Sequence, residues 1–173
     1  MKSIKIILTT LLLLFSFQTS LFSEIRFVDF KYILNESKAG KGAQISLKKE
    51  LDNGIKSLKN KEKAIQDEEK KIIQQKKLVE PEEYKKQVPE LRKKVSSLQS
   101  QRNKLLDNIA KKRSKARTTL LKTLNPIIKD YMQEKNIRLV LDKKSILLAD
   151  EKLNITKEIT DLLNKKLKSI QLN

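Results

Sequence analysis

Cysteine and histidine are both absent from the 173 residues. Without cysteine an oxidising compartment imposes no disulfide framework. Without either residue, Cys/His metal sites and histidine-based acid/base chemistry are excluded. There is no tryptophan, and glycine and proline number only three each. A chain with so few turn-formers is mostly long helix, so its core must be small and its stability must come from helix seams and self-association. Acidic residues are also scarce beside basic ones: 21 Asp and Glu face 39 Lys and Arg, a net charge of +18. Such a field attracts polyanions: nucleic acid, anionic lipid headgroups or acidic protein surfaces.

Residues 1–23 read as a secretory signal. Lys2 and Lys5 form a charged start, Ile6 to Phe17 is an apolar run interrupted by Thr9 and Thr10, and Ser20 and Ser23 are small residues at plausible cleavage points. The alternative is a membrane anchor, but the apolar run is short for a span and no stop-transfer pattern follows. Cleavage would leave an exported chain with a net charge of +16, since Lys2 and Lys5 go with the signal. Export makes nucleic acid the least favoured polyanion.

The middle of the chain carries a heptad pattern. Tyr84, Val88, Leu91, Val95, Leu98, Arg102, Leu105, Ile109, Lys112 and Ala116 are spaced alternately four and three apart, the period of a coiled-coil seam. Arg102 and Lys112 are basic interruptions, which should loosen the pairing. Leu51, Leu58, Ile65, Ile72 and Val79 recur every seven residues in the preceding stretch. Two long helices with facing apolar stripes make a hairpin, and a hairpin this thin cannot enclose an enzyme pocket.

Its limits follow from the breakers. Asn35 and Ser37 are candidate N-caps for a helix from about Lys41 to Val79, with a weak point at Asn53 and Gly54. Pro81 ends that helix and suits the first position of the next, and Glu82 and Glu83 complement its dipole. Pro89 should kink or fray the tip, and Pro126 marks a second kink or restart. Asn136 closes the return helix. Ile25 to Phe30 and Ile137 to Asp142 read as strands, and Ser145 to Ala149 as a third that pairs with the second through a compact turn at Asp142-Lys143-Lys144. A last helix carries the stripe Ile155, Ile159, Leu162, Leu163 and Leu167.

The map is therefore α+β. Residues 24–37 and 125–173 form a small base, and residues 38–124 form an inserted antiparallel coiled-coil hairpin. A base of that size buries too little surface to be stable alone. Self-association is expected through Ile25, Phe27, Val28, Phe30, Leu139, Val140 and Leu141.

The opening IRFVDF followed by YILNES, the charged coiled-coil middle and the closing NIRLVLDKKSILLADEKLNITKEITDLLNKKLK together resemble the Skp/OmpH family of periplasmic chaperones. The closing stretch is the most specific part. The resemblance implies a homotrimer whose strands build a central body, with three hairpin tentacles around a cavity. That cavity would hold unfolded outer-membrane proteins against aggregation in the periplasm, without ATP or cofactor.

Residues 38–117 carry 24 Lys and Arg against 11 Asp and Glu, a net of +13. The densest cluster is Lys111, Lys112, Arg113, Lys115 and Arg117, a candidate contact for clients, anionic lipid or lipopolysaccharide, or else a solvated face. No aromatic lies between Tyr84 and Tyr131, so bases have nothing to stack on there and no nucleic-acid partner is expected. Leu47, Ile55, Ile73 and Leu78 fall outside the seam and are candidate cavity-facing client contacts. The acidic groups Asp67, Glu68, Glu69 and Glu82, Glu83 sit on helix surface with no pocket to raise a pKa. Two rival readings remain: a structural coiled-coil spacer of the cell envelope, and a basic nucleic-acid-binding coiled coil.

Overall fold

A computed structural model of the chain describes residues 24–76 and 80–172. The segment read as an export signal and the positions Leu78 and Val79 lie outside the described residues.

Strand β1 spans Glu24–Val28 and stops earlier than its sequence pattern. Asp29 accepts a hydrogen bond from the Tyr32 N–H at 2.8 Å, which caps a short helix α1, Phe30–Glu36. Ser37 then ends one helix and starts another. It is fully buried, and its Oγ accepts the Gly40 N–H at 3.2 Å at the head of α2, Lys38–Gln75. So sharp a junction brings the end of α1 against the first turn of α2. A Cβ on Gly40 would lie 1.9 Å from the Leu34 carbonyl oxygen, so only glycine fits there.

Helix α3 runs unbroken from Pro81 to Glu134. Pro81 opens it with Glu82 and Glu83 in the first turn, as the sequence predicts. Pro89 and Pro126 both lie inside it and neither interrupts it. Each removes one backbone donor, but both are exposed, so water can take the freed carbonyl four residues back. The expected restart at Pro126 is therefore absent. Asn136 follows with φ of 54°, the left-handed conformation that asparagine tolerates at a helix end.

Strand β2, Ile137–Asp142, pairs in parallel with β1, placing Ile25 beside Leu139, Phe27 beside Leu141 and Val28 beside Asp142. Parallel neighbours need a long crossover, and the whole hairpin of α2 and α3 is that crossover. The third strand expected at Ser145 to Ala149 does not form. Asp142 instead caps a 3-10 turn, Lys143–Ser145, with its carboxylate accepting the Lys144 N–H at 3.3 Å. That turn leads the chain away from β2 and leaves Leu147 and Leu148 fully in solvent. The far edge of β1 gains a partner elsewhere. Phe27 bridges Asn154, and its carbonyl accepts the Ile155 N–H at 3.0 Å. Thr156, at the head of α4 (Thr156–Lys166), accepts the Asp29 N–H at 2.8 Å.

One core ties these parts together. Val28, Ile33, Leu124, Ile159 and Leu163 are at zero exposure, and Leu120, Ile127, Ile137 and Ile155 surround them. A second cluster lies at the root of the hairpin, around Ala43, Leu47, Ile109 and Ala116.

The junction at Ser37 makes a prediction two residues wide. Gly40→Ala should destabilise the fold by about 3 kcal/mol, because the added carbon meets backbone that cannot yield. Gly42 has open space around it, so Gly42→Ala should be neutral or stabilising by up to about 1 kcal/mol. Urea denaturation at one protein concentration separates the two; equal losses would contradict the close approach.

Candidate functional site

The hairpin arm is built from two stripes. Leu58, Ile72, Leu98, Ile109 and Ala116 are buried along its seam, with Leu51, Ile65, Leu91 and Leu105 half-buried between them. Gly54, expected to weaken α2, has a packing role instead. A Cβ there would fall 2.6 Å from both methyls of Leu105, so the absence of a side chain lets Leu105 close onto α2. At the tip, the Lys76 ammonium lies 5.7 Å from the centre of the Tyr84 ring.

A polar ladder runs beside the seam. Lys112 Nζ donates to both carboxylate oxygens of Glu50 at 2.8 and 2.9 Å, and Asn108 donates to the same group at 3.1 Å. Lys61 donates to Gln101 at 2.5 Å, and Lys94 reaches Glu68 at 2.6 Å. On α2 the steps from Glu50 to Lys61 to Glu68 are eleven and seven residues. On α3 the steps back from Lys112 to Gln101 to Lys94 are the same. Eleven and seven residues are each close to whole turns, so the contacts stack on one side and hold the antiparallel register. Arg102 adds a longer contact to Glu62 at 3.5 Å. An acidic partner on α2 thus meets each of the two seam cations, Lys112 in a part-buried pair and Arg102 in an exposed one.

The candidate contact residues separate clearly. Leu47 is corrected from cavity-facing to core, since it is 5% exposed against Ile109 and Ala116. Val95 moves the other way, from seam to surface, at 51% exposure. A 3.5-residue pattern drifts by about 20° per heptad on a straight helix, which carries such positions to the rim. Ile55 and Ile73 are exposed as expected, and Ile45 and Leu106 join them. Sequence reasoning missed Ile45 and Leu106, although both lie off the heptad positions. In the basic cluster, Lys112 is engaged by Glu50 and Lys111 by Asp107 at 2.7 Å, while Arg113 and Arg117 are exposed.

Of the acidic groups singled out in the sequence, Asp67, Glu69, Glu82 and Glu83 are exposed on helix surface, and Glu68 is half-buried and accepts from Lys94. Lys93 donates to Glu90 and holds its carboxyl below the ordinary range, and Lys157 does the same for Asp161; all four side chains lie on open helix surface. Among the described residues, no group of three His, Cys, Asp or Glu could hold a metal ion. The clefts between α2 and α3 are open and shallow, one of about 330 Å³ lined by Lys61, Ile65, Glu68, Lys94 and Leu98.

In the base, Phe27 and Val28 are consumed by the chain's own core, and Phe30 packs against it. Ile25 and Leu139 are 45% and 44% exposed, and Val140 and Leu141 are half-buried. Leu147 and Leu148, at 103% and 92%, are the most exposed large apolar side chains among the described residues.

This arrangement of a two-stranded parallel sheet, a long inserted hairpin and a closing helix has known counterparts. The family model described as outer membrane protein (OmpH-like) matches residues 24–163. The chain belongs to the OmpH-like family. A crystal structure from Caulobacter crescentus CB15, described as an outer membrane chaperone (OmpH-like), has the same fold with a TM-score of 0.80. The identity is 19%, over 86% of this chain and 88% of that one. No curated protein matches. Among the described residues of this OmpH-like chain, no helix is long and apolar enough to cross a membrane.

The ladder yields a prediction. Lys112 and Glu50 are only 24% and 35% exposed, whereas Lys111 and Asp107 are 75% and 59% exposed. Lys112→Met should cost about 1 kcal/mol, and Lys111→Met no more than about 0.5 kcal/mol. Thermal denaturation measures both, and the reverse order would remove the ladder's role in fixing the arm.

Proposed function

We propose that the chain is an ATP-independent holdase chaperone of the periplasm, exported by residues 1–23, that binds unfolded outer-membrane proteins and prevents their aggregation. The observation that carries this reading is the surface of the arm. Ile45, Ile55, Ile73, Val95 and Leu106 stand singly among charges, on a hairpin with a net charge of +13 over residues 38–117 and open clefts between its helices. Many weak, separated contacts hold an unfolded chain without trapping it, since avidity comes from their number. The basic excess draws in acidic clients and gives the arms an affinity for anionic lipid or lipopolysaccharide. The description of the Caulobacter crescentus structure as a chaperone supports the same reading.

The working form is a homotrimer joined through the base. β1 is bonded on both sides, whereas β2 has only β1 beside it among the described residues, and a bare strand edge seeks a partner. Leu139, Leu147 and Leu148 lie near that edge in sequence and stand in solvent within one chain. The double substitution Leu147→Ser/Leu148→Ser should shift the trimer to monomer in light scattering at micromolar concentration. An unchanged mass would move the interface elsewhere.

Holding is tested by aggregation of an unfolded acidic outer-membrane protein, followed by turbidity with and without the chain. Suppression should weaken as salt rises past about 0.1 M, where exposed charges are screened beyond roughly 10 Å. No suppression at any salt would sink the holdase reading. The ladder favours a second reading, a stiff spacer of the cell envelope. Hydrogen exchange separates the two, because a holdase arm should exchange faster around residues 70–94 than the base does at residues 139–141.

A further inference from the structure

Helix α4 ends at Lys166, with the Leu167 N–H donating to the Leu163 carbonyl at 2.8 Å; Leu167 is extended and the chain bends at Lys168. It turns back onto the root of the arm. Leu172 is 9% exposed and packs with Ala43 and Leu47 of α2 and with Ile109 and Ala116 of α3. Ile170 touches both this cluster and the base core, and Leu167 touches the base core. Lys168, Ser169 and Gln171 face solvent.

Two observations set this segment apart. Among the described residues, positions 168–172 make no hydrogen bond and no ion pair, so apolar burial holds them in the groove between α2 and α3. Ile170-Gln171-Leu172 also alternates in burial, half-buried, exposed and buried, so both apolar side chains meet the protein and the polar one meets solvent. That period-two pattern is also how the strands of membrane β-barrels read. The alanines at 43 and 116 leave the room on the groove floor that Leu172 fills.

We propose that the groove at the arm root is a binding site for a short extended peptide with alternating apolar residues, and that residues 167–172 occupy it as an internal stand-in that a client segment displaces. This deepens the holdase reading and rests on it for the identity of the client. The site is specific where the exposed residues of the arm are diffuse. Its occupancy by the chain itself keeps two leucine-sized contacts covered until a competing segment arrives.

The test uses the full chain with Ile170→Ser and Leu172→Ser, which should release the segment and open the groove. The probe is a fluorescent peptide of sequence NKKLKSIQL, residues 164–172. It should bind the double variant at least about tenfold more tightly than the unsubstituted chain, since only the latter has its groove filled. The same peptide with both serine exchanges should bind neither. A nitroxide label on Ser169→Cys, the sole cysteine of that variant, should gain mobility several-fold once an unfolded outer-membrane protein is bound, while amides at residues 120–128 stay protected. Equal peptide affinity for the two chains overturns the groove, and unchanged label mobility at position 169 overturns displacement. The peptide assay contains no client, so its failure is distinct from a failure to suppress aggregation.

Discussion

Helix α3 belongs to the arm and to the base at once. Its first part carries Leu98 and Ile109 into the seam with α2, and its last part carries Leu120, Leu124, Ile127 and Ile128 into the core against β1, α1 and α4. At 54 residues it is about 80 Å long at 1.5 Å per residue, far longer than one small core needs. Because the rod is continuous, the direction of the arm is set by how the base packs around residues 120–128. A base held together by so few residues depends in turn on the rod as one of its walls. Stability of the core and placement of the arm are one problem, solved by the same apolar face.

The arm balances two demands. Its helices must stay paired, and, on the holdase proposal, its surface must remain open to other chains. Pairing is carried by a thin apolar seam and by ion pairs set beside it, which take several cations out of circulation. Lys112, Lys94 and Lys61 serve the partner helix, while residues such as Arg113 and Arg117 remain on the surface. A basic total therefore overstates the charge available for binding, because part of it is spent on register.

Much of this was legible in the sequence. Heptad spacing located the seam, Pro81 and its glutamates located the return helix, and Ile137 to Asp142 read as a strand because β-formers fill it. Ser37 and Asn136 announced helix ends by the usual chemistry of caps. What stayed hidden depended on neighbours distant in the chain. The apolar run SILLA has strand composition but no adjacent strand within one chain, and the cap made by Asp142 steers it outward. Lys112 looked like a defect until Glu50, sixty-two residues away, met it across the seam. Leu47 looked like a surface residue because the helix that buries it returns only after the tip. Gly54 looked like a weakness because its value lies in what Leu105 does with the space.

The closeness of Leu172 and Ile170 to the arm root has a mechanical side. Helix α2, 38 residues from its N-cap at Ser37, has the length of a lever of about 57 Å. A rotation of about 0.1 radian about the N-cap carries the far end about 6 Å, while atoms at the root move by a fraction of an ångström. Motion near Ala43 and Ala116 too slight to break their packing is thus magnified at the tip into a displacement wider than one strand spacing, roughly 4.8 Å. The place where the arm is narrowest in its movement is the place from which its reach is set.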